Sequence, residues 1–133
     1  MYLFITPENS GISQDKTIAG YGVFDAWFVK MDLNYNIISQ YVYGGSYNDY
    51  GVDFVKCSNG DFILLMLSDS DISGNKTSPS IGSSDYWVVR IDSNGGIIWQ
   101  QSYGGTDEEQ PEEIVKINEN KFLLFGTSRS PIS

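Results

Sequence analysis

Shifted by sixty residues, the chain falls on itself without a gap. Asp25-Ala26-Trp27-Phe28-Val29-Lys30-Met31-Asp32 meets Asp85-Tyr86-Trp87-Val88-Val89-Arg90-Ile91-Asp92. Tyr43-Gly44-Gly45 meets Tyr103-Gly104-Gly105, and Gln40 meets Gln100. Of the 60 aligned pairs, 19 are identical, against about 4 by chance at ordinary composition. A fixed period of this length implies one supersecondary unit that buries its faces against its neighbours. Phe122-Leu123-Leu124 follows Phe62-Ile63-Leu64 by the same interval, and Tyr2-Leu3-Phe4 precedes it by that interval. The expected division is therefore 1–60, 61–120 and, at 121–133, the first strand of a third copy.

Each copy reads as four strands. Phe62 to Ser68 is almost continuously apolar, Asp85 to Ile91 mostly so, Ile97 to Tyr103 is mixed, and Glu112 to Ile117 carries charge on both faces. Asp92-Ser93-Asn94-Gly95-Gly96 is a hairpin turn, since Asn and Gly accept the positive φ that tight turns require. Ser58-Asn59-Gly60 gives a similar tight entry to the next strand. No segment shows a capped 3.6-residue apolar pattern, so helices are not expected. The fall in apolarity from first strand to fourth predicts an all-β chain: an arc of a β-propeller. Its blades would be four-stranded and antiparallel, with a sheltered inner strand and a wet outer one.

Charge and residue inventory remove several function classes. The net charge of −9 and pI near 4.2 oppose binding to phosphate backbones and to anionic membrane surfaces. No stretch approaches the roughly 18 apolar residues of a membrane-spanning helix. Met1 to Thr6 is too short for a signal peptide and lacks its basic flank. The chain has no histidine and a single cysteine, Cys57, in an apolar strand pattern. Ser–His and Cys–His nucleophile systems are thereby excluded, and so is an internal disulfide.

The run from Ser70 to Gly105 carries Ser-Asp-Ile-Ser-Gly-Asn, then Asp-Tyr-Trp-Val-Val-Arg-Ile-Asp-Ser-Asn-Gly, then Ile-Ile-Trp-Gln-Gln-Ser-Tyr-Gly-Gly. This pattern resembles the propeller repeats of large secreted bacterial proteins, often surface-attached and exported with a type IX sorting domain. The resemblance spans the whole chain. It implies an extracellular or cell-surface β-propeller with no defined enzymatic activity. The first copy departs from the pattern at Gln14-Asp15, in place of Gly74-Asn75, and at Tyr35-Asn36, in place of Gly95-Gly96.

Three groups of residues invite a chemical reading. Asp69, Asp71 and Ser73, followed by Gly74, have the D-x-D-x-S-G spacing that opens a calcium loop, though no acidic residue closes it. In the other copies the same positions hold Asn9, Gly11 and Ser13, and Arg129, Pro131 and Ser133. A polar loop held by side-chain bonds to backbone is the competing reading. Trp27 and Trp87 alternate in phase with aliphatic residues and read as core. Trp99, replaced by Ser39 in the first copy, is the aromatic to test for ligand contact. The acidic run Asp107-Glu108-Glu109-Gln110-Pro111-Glu112-Glu113 reads as a solvated loop. Asp25 and Asp85 are expected to bond turn amides.

The function expected from these residues is a non-catalytic scaffold or a module that recognises protein or glycan. Its candidate surface is the long loops Glu8 to Phe24 and Ser68 to Ser84. One alternative is a small lectin whose chains complete a ring as a homo-oligomer; another is part of a glycan-degrading propeller enzyme. Two blades cannot close a ring of the usual four to eight or so. Either further blades in cis within a longer parent chain, the favoured expectation, or other copies must complete it. In the second case Lys121 to Ser128 would compete with the next copy's Tyr2 to Thr6 for one slot.

Overall fold

The computed structural model describes residues 1–7, 11, 12 and 14–132, and among them there is no helix. Nine strands alternate with turns: β1 (Tyr2–Ile5), β2 (Ala26–Met31), β3 (Ile37–Tyr43), β4 (Asp49–Lys56), β5 (Phe62–Ser68), β6 (Asp85–Ile91), β7 (Ile97–Tyr103), β8 (Glu109–Asn118) and β9 (Lys121–Ser128). They form three antiparallel sheets, in the orders β1-β2-β3, β4-β5-β6-β7 and β8-β9.

The sheets do not follow the divisions at 60/61 and 120/121. β4, expected to close the sheet that begins with β1, pairs instead with β5, from Asp49 opposite Ser68 to Lys56 opposite Phe62. The cause is local. Cys57 N–H donates to Asp61 O at 2.8 Å and Gly60 N–H to Cys57 O at 3.1 Å, a tight turn that joins β4 and β5 as a hairpin. The same arrangement gives β8 to β9, with Asn118 opposite Lys121. The charge on both faces of β4 and β8 reflects an edge strand, but at the opposite edge of the sheet from the one expected.

β1 brings a second departure. Tyr2 stands opposite Lys30, the place where Ile63 stands opposite Arg90, so β1 is sixty-one residues from its counterpart. A one-residue slip exchanges the two faces of a strand. Tyr2 and Phe4 consequently enter the core against the second sheet, while Leu3 and Ile5 are 38% and 36% exposed. The sixty-residue phase returns by Lys16, whose counterpart Lys76 is likewise buried.

The sheets pack face to face. Between the first and second lie Phe28, Tyr43, Phe62, Leu64, Met66, Trp87, Val89 and Ile91, with Tyr2, Phe4 and Phe54 at the margin. Phe28 is a hub, its ring meeting Phe54 and Phe62 edge-on at 5.3 and 5.1 Å. Between the second and third lie Cys57, Ile63, Leu65, Val88 and Ile114. A smaller cluster of Trp27, Val29 and Val42 sits on the far face of the first sheet, which no other sheet covers. β4 and β8 make the densest contact between strands of different sheets. Asp53 Oδ2 there accepts from Ile114 N–H at 2.9 Å.

Two turns separate backbone strain from crowding. A Cβ at Gly60 (φ +94°) would meet only Ser93 Cβ, at an ordinary 3.9 Å, whereas a Cβ at Gly95 (φ +79°) would meet the Tyr41 ring at 2.2 Å. Gly60→Ala is expected to cost about 1 kcal/mol through the left-handed conformation alone. Gly95→Ala adds overpacking, for about 2–4 kcal/mol in total. Denaturant midpoints of the two variants measure the difference.

Candidate functional site

The features that recur at each sheet junction are polar and buried, and they gather where β3 or β7 hands over to the next sheet. Asp25 and Asp85 open β2 and β6. Asp25 Oδ2 accepts from the amides of Tyr21 and Gly22 at 3.0 and 3.1 Å. Asp85 does the same for Ile81 and Gly82 at 2.7 and 3.2 Å. Both thus bond turn amides, the role expected of them. The turn they hold presents Phe24 O to Asp49 N–H at 2.8 Å, and Ser84 O to Glu109 N–H at 3.0 Å. β4 and β8 are thereby pinned to the preceding sheets.

Asp49 and Glu109, sixty residues apart, then form a second layer. Asp49 accepts from the hydroxyls of Ser68 and Ser70 and from Gly45 N–H at 2.7 Å. Glu109 Oε1 accepts from the hydroxyls of Ser128 and Ser130 at 2.8 and 2.6 Å. The two balance differently. Burial pushes the Asp49 carboxyl above the usual range, and its hydrogen bonds only partly oppose this. At Glu109 burial acts in the same direction, but the bonds from Ser130, Ser128 and the Gly105 amide outweigh it and leave the carboxyl below its ordinary value. Glu109 is therefore not part of a solvated acidic loop, as its run suggested: it is 3% exposed. The exposed Glu108 does lie at the surface, where it pairs with Arg129 at 2.7 Å.

Two further repeated residues tie the long loops down. Gln100 Oε1 accepts from the Trp87 indole N–H at 3.0 Å and from Thr77 N–H at 2.8 Å, while its Nε2 donates to Asn75 O at 3.0 Å. Gln40 repeats this with Trp27, Thr17 and Asp15. Lys76 is buried beside them, its Nζ donating to Ser78 O at 2.7 Å and lying 5.8 Å from the Trp87 ring centre. Burial pushes its amine below the usual range, and Asp49, Asp85 and Asp71 pull the other way. Sequence reading assigned no role to Gln40, Gln100, Lys16, Lys76 or the Asp49–Glu109 pair. The signal was their recurrence at sixty residues; Ser68-x-Ser70 recurs likewise as Ser128-x-Ser130.

The residues with calcium-loop spacing each have hydrogen-bond partners of their own. Asp69 accepts from Ser84 at 2.7 Å and from Asn48 at 3.1 Å. Asp71 Oδ1 accepts from Ser80 N–H at 3.1 Å, which with the Ile72 amide holds its carboxyl below the usual range. Ser73 Oγ accepts from Ser46 N–H at 2.8 Å and donates to Asp71 O. The loop is thus a bracket between sheets. Among the described residues no group of three or more His, Cys, Asp or Glu side chains is placed to hold a metal ion. The first-copy counterparts Asn9 and Ser13, and Ser133 of the third, lie outside the described residues.

Trp87 is fully buried and Trp27 is 8% exposed. Trp99 is 39% exposed on β7, opposite Arg90 in register, and alternates with Gln101 and Tyr103 along one face of the strand.

What this arrangement does chemically is bind loops to sheets. Asp85 Oδ1 and Glu109 Oε2 face each other across Gly104, whose absent Cβ would lie 2.3 and 2.7 Å from them. Both residues are buried, and Glu109 with Gly104 also lines an open cavity of about 470 Å³ beside Tyr86, Tyr103 and Ser130. The class so defined is an all-β protein of repeated antiparallel sheets stacked face to face. No family model and no curated protein matches the chain.

Proposed function

We propose that the chain is an arc of a β-propeller, acting as a non-catalytic scaffold or as a protein- or glycan-recognition module. We place it outside the cell or on the surface of a bacterium, as the type IX-associated repeats it resembles imply. The observation that carries the architecture is one packing arrangement made twice. β1 and β2 pack on β4 as β5 and β6 pack on β8, and β4 and β8 make the closest approach between sheets, the repetition expected of blades around an axis. On this reading β4 and β8 are the strands nearest the axis. One complete blade, β4 to β7, is flanked by parts of two others. Further blades, from a longer parent chain or from other copies, would complete the ring.

The non-catalytic reading is supported by the fate of the carboxylates. Asp25, Asp49, Asp85 and Glu109 each accept from amides or serines that organise loops, with Asp25 Oδ1 and Glu109 Oε2 left over as buried oxygens. A structural role accounts for the first set, whereas catalysis needs groups that reach a substrate. Two measurements test the proposal. An experimental structure should show the three sheets rotated about a common axis beside β4 and β8; parallel, untilted stacking would refute the propeller. Incubation with a panel of glycans should give binding or nothing, and release of free sugar would refute the non-catalytic assignment.

A further inference from the structure

Between the first and second sheets, where β3 meets the turn from β6 to β7, runs an open groove of about 490 Å³. Ile18, Val42 and Ile97 give it apolar walls, and Tyr21, Tyr41 and Tyr43 stand beside them. No Asp, Glu, Lys or Arg is among the described residues that line it. Ligand sites have volumes of about 300–1,000 Å³ and set a few convergent polar groups in an apolar cleft. Here the polar groups are phenols. Tyr43 is 1% exposed, and its hydroxyl donates to Gly95 O at 2.8 Å. Burial pushes this phenol far above its usual range, and Tyr41, Asp92 and Tyr21 are near enough to push it the same way. It therefore stays a neutral hydroxyl. Tyr41 is half-buried and Tyr21 is exposed, and neither hydroxyl bonds another described residue.

The two outer rings are seated on glycines. A Cβ at Gly95 would meet the Tyr41 ring at 2.2 Å, and one at Gly74 would meet Tyr21 Cγ at 2.7 Å and Gly44 O at 2.3 Å. Backbone conformation does not by itself demand glycine at either place. The first copy holds Gln14 (φ +47°) where the second has Gly74 (+58°), and Tyr35 (φ +66°) where the second has Gly95 (+79°). Side chains are uncommon at positive φ but are accepted at these turns. What the glycines supply is room, at Gly95 for Tyr41 and at Gly74 for Tyr21 and the Gly44 carbonyl. Tyr21 and Tyr41 are themselves outside the repeat, since Ile81 and Gln101 stand sixty residues on. The packing common to both copies calls for neither ring.

We infer that this groove binds a neutral saccharide, with the Tyr21 and Tyr41 rings against the C–H faces of the sugar and the phenol oxygens bonding its hydroxyls. A sugar ring has apolar faces and a polar edge, and tyrosine answers both with an apolar ring that carries one polar tip. The lining offers an ionic ligand no charged partner, and burying an unpaired charge is costly. The net charge of −9 further opposes acidic or sulfated sugars. The inference rests on the recognition reading proposed above, and it names the ligand class and the place. Trp99 does not line the groove, so the two candidate sugar contacts are separable.

The test is a titration of the whole chain, followed through its backbone amide resonances, with cellotriose, maltotriose and triacetylchitotriose to millimolar concentration. Trigalacturonate is the charged comparison. At least one neutral trisaccharide is expected to shift the amides of Gly74, Gly95 and Tyr41. Shifts centred on Trp99, or a stronger response to trigalacturonate, would overturn the inference and keep the recognition reading. No shift with any of the sugars would overturn the inference and leave the scaffold reading standing. Tyr21 is 52% exposed, so Tyr21→Ser should fold as the wild type does and weaken binding about tenfold. Tyr41→Phe keeps the ring on Gly95 and removes only the phenol oxygen, for a loss of about three- to tenfold. Undiminished binding by both folded variants would overturn the site.

Discussion

Truncating Trp87 to alanine is expected to lower stability by about 3–5 kcal/mol, the range for deleting a fully buried aromatic side chain. A domain of ordinary size has only about 5–15 kcal/mol in all, so the variant should be largely unfolded in modest denaturant. The side chain is 0% exposed and fills the space between the first and second sheets with Met66 and Val89. Its indole N–H also supports Gln100, so the long loop 69–84 would loosen with the core. Trp27 supplies a control at the same place in the repeat. It makes the same bond to Gln40 but lies on a face that no other sheet covers. Trp27→Ala is expected to cost about half as much, since the site opens to water instead of leaving a closed void. Denaturation followed by far-ultraviolet circular dichroism compares the two; equal penalties would contradict the assignment of the first sheet's far face as uncovered.

The second large effect is expected at Asp49. Asp49→Ala leaves the hydroxyls of Ser68 and Ser70 and the amide of Gly45 without their acceptor. Buried donors stripped of a partner cost roughly 1 kcal/mol or more each. Relief from burying the carboxylate offsets part of this, leaving a loss of about 2–3 kcal/mol. Asp49→Asn keeps an oxygen acceptor and should be milder. Its penalty should also depend on pH. Burial raises the Asp49 carboxyl above its ordinary value in the folded chain, so folding favours the protonated acid. That contribution is full below the unfolded value, near pH 4, and is lost as pH rises through the folded one. The gap between wild type and Asp49→Asn should therefore narrow from acid to neutral pH. A gap that widens would show that the ionised form is the one the fold prefers.

Much of the local structure was legible in the residues. β5, β6, β7 and β9 fall where the apolar runs and the Asn-Gly turns place them, because strand length and turn chemistry are properties of a few neighbouring residues. The tryptophans were legible for the same reason, as alternation along a strand names the face that is buried. The Glu109 network was not. An isolated run of acids reads as solvated, and only the serines 19 and 21 residues downstream make the burial of Glu109 tolerable. The spacing of Asp69, Asp71 and Ser73 left two readings open, and the bonds of a polar loop are the ones present: the three oxygens accept separately from Ser84, Ser80 and Ser46.

By itself, then, the sequence determined a period, an all-β character and the strands of each repeat. A duplication of sixty residues requires that whatever packs once packs again. The tertiary structure alone decided the phase. Periodicity is unchanged by moving the point at which a copy is said to begin, so it cannot say whether β4 ends one sheet or starts the next. The hairpin bonds from Cys57 to Asp61 settle that, by joining β4 to β5. The register of β1 likewise needed a partner strand, since a slip of one residue leaves composition untouched and exchanges every side chain between the core and the open face.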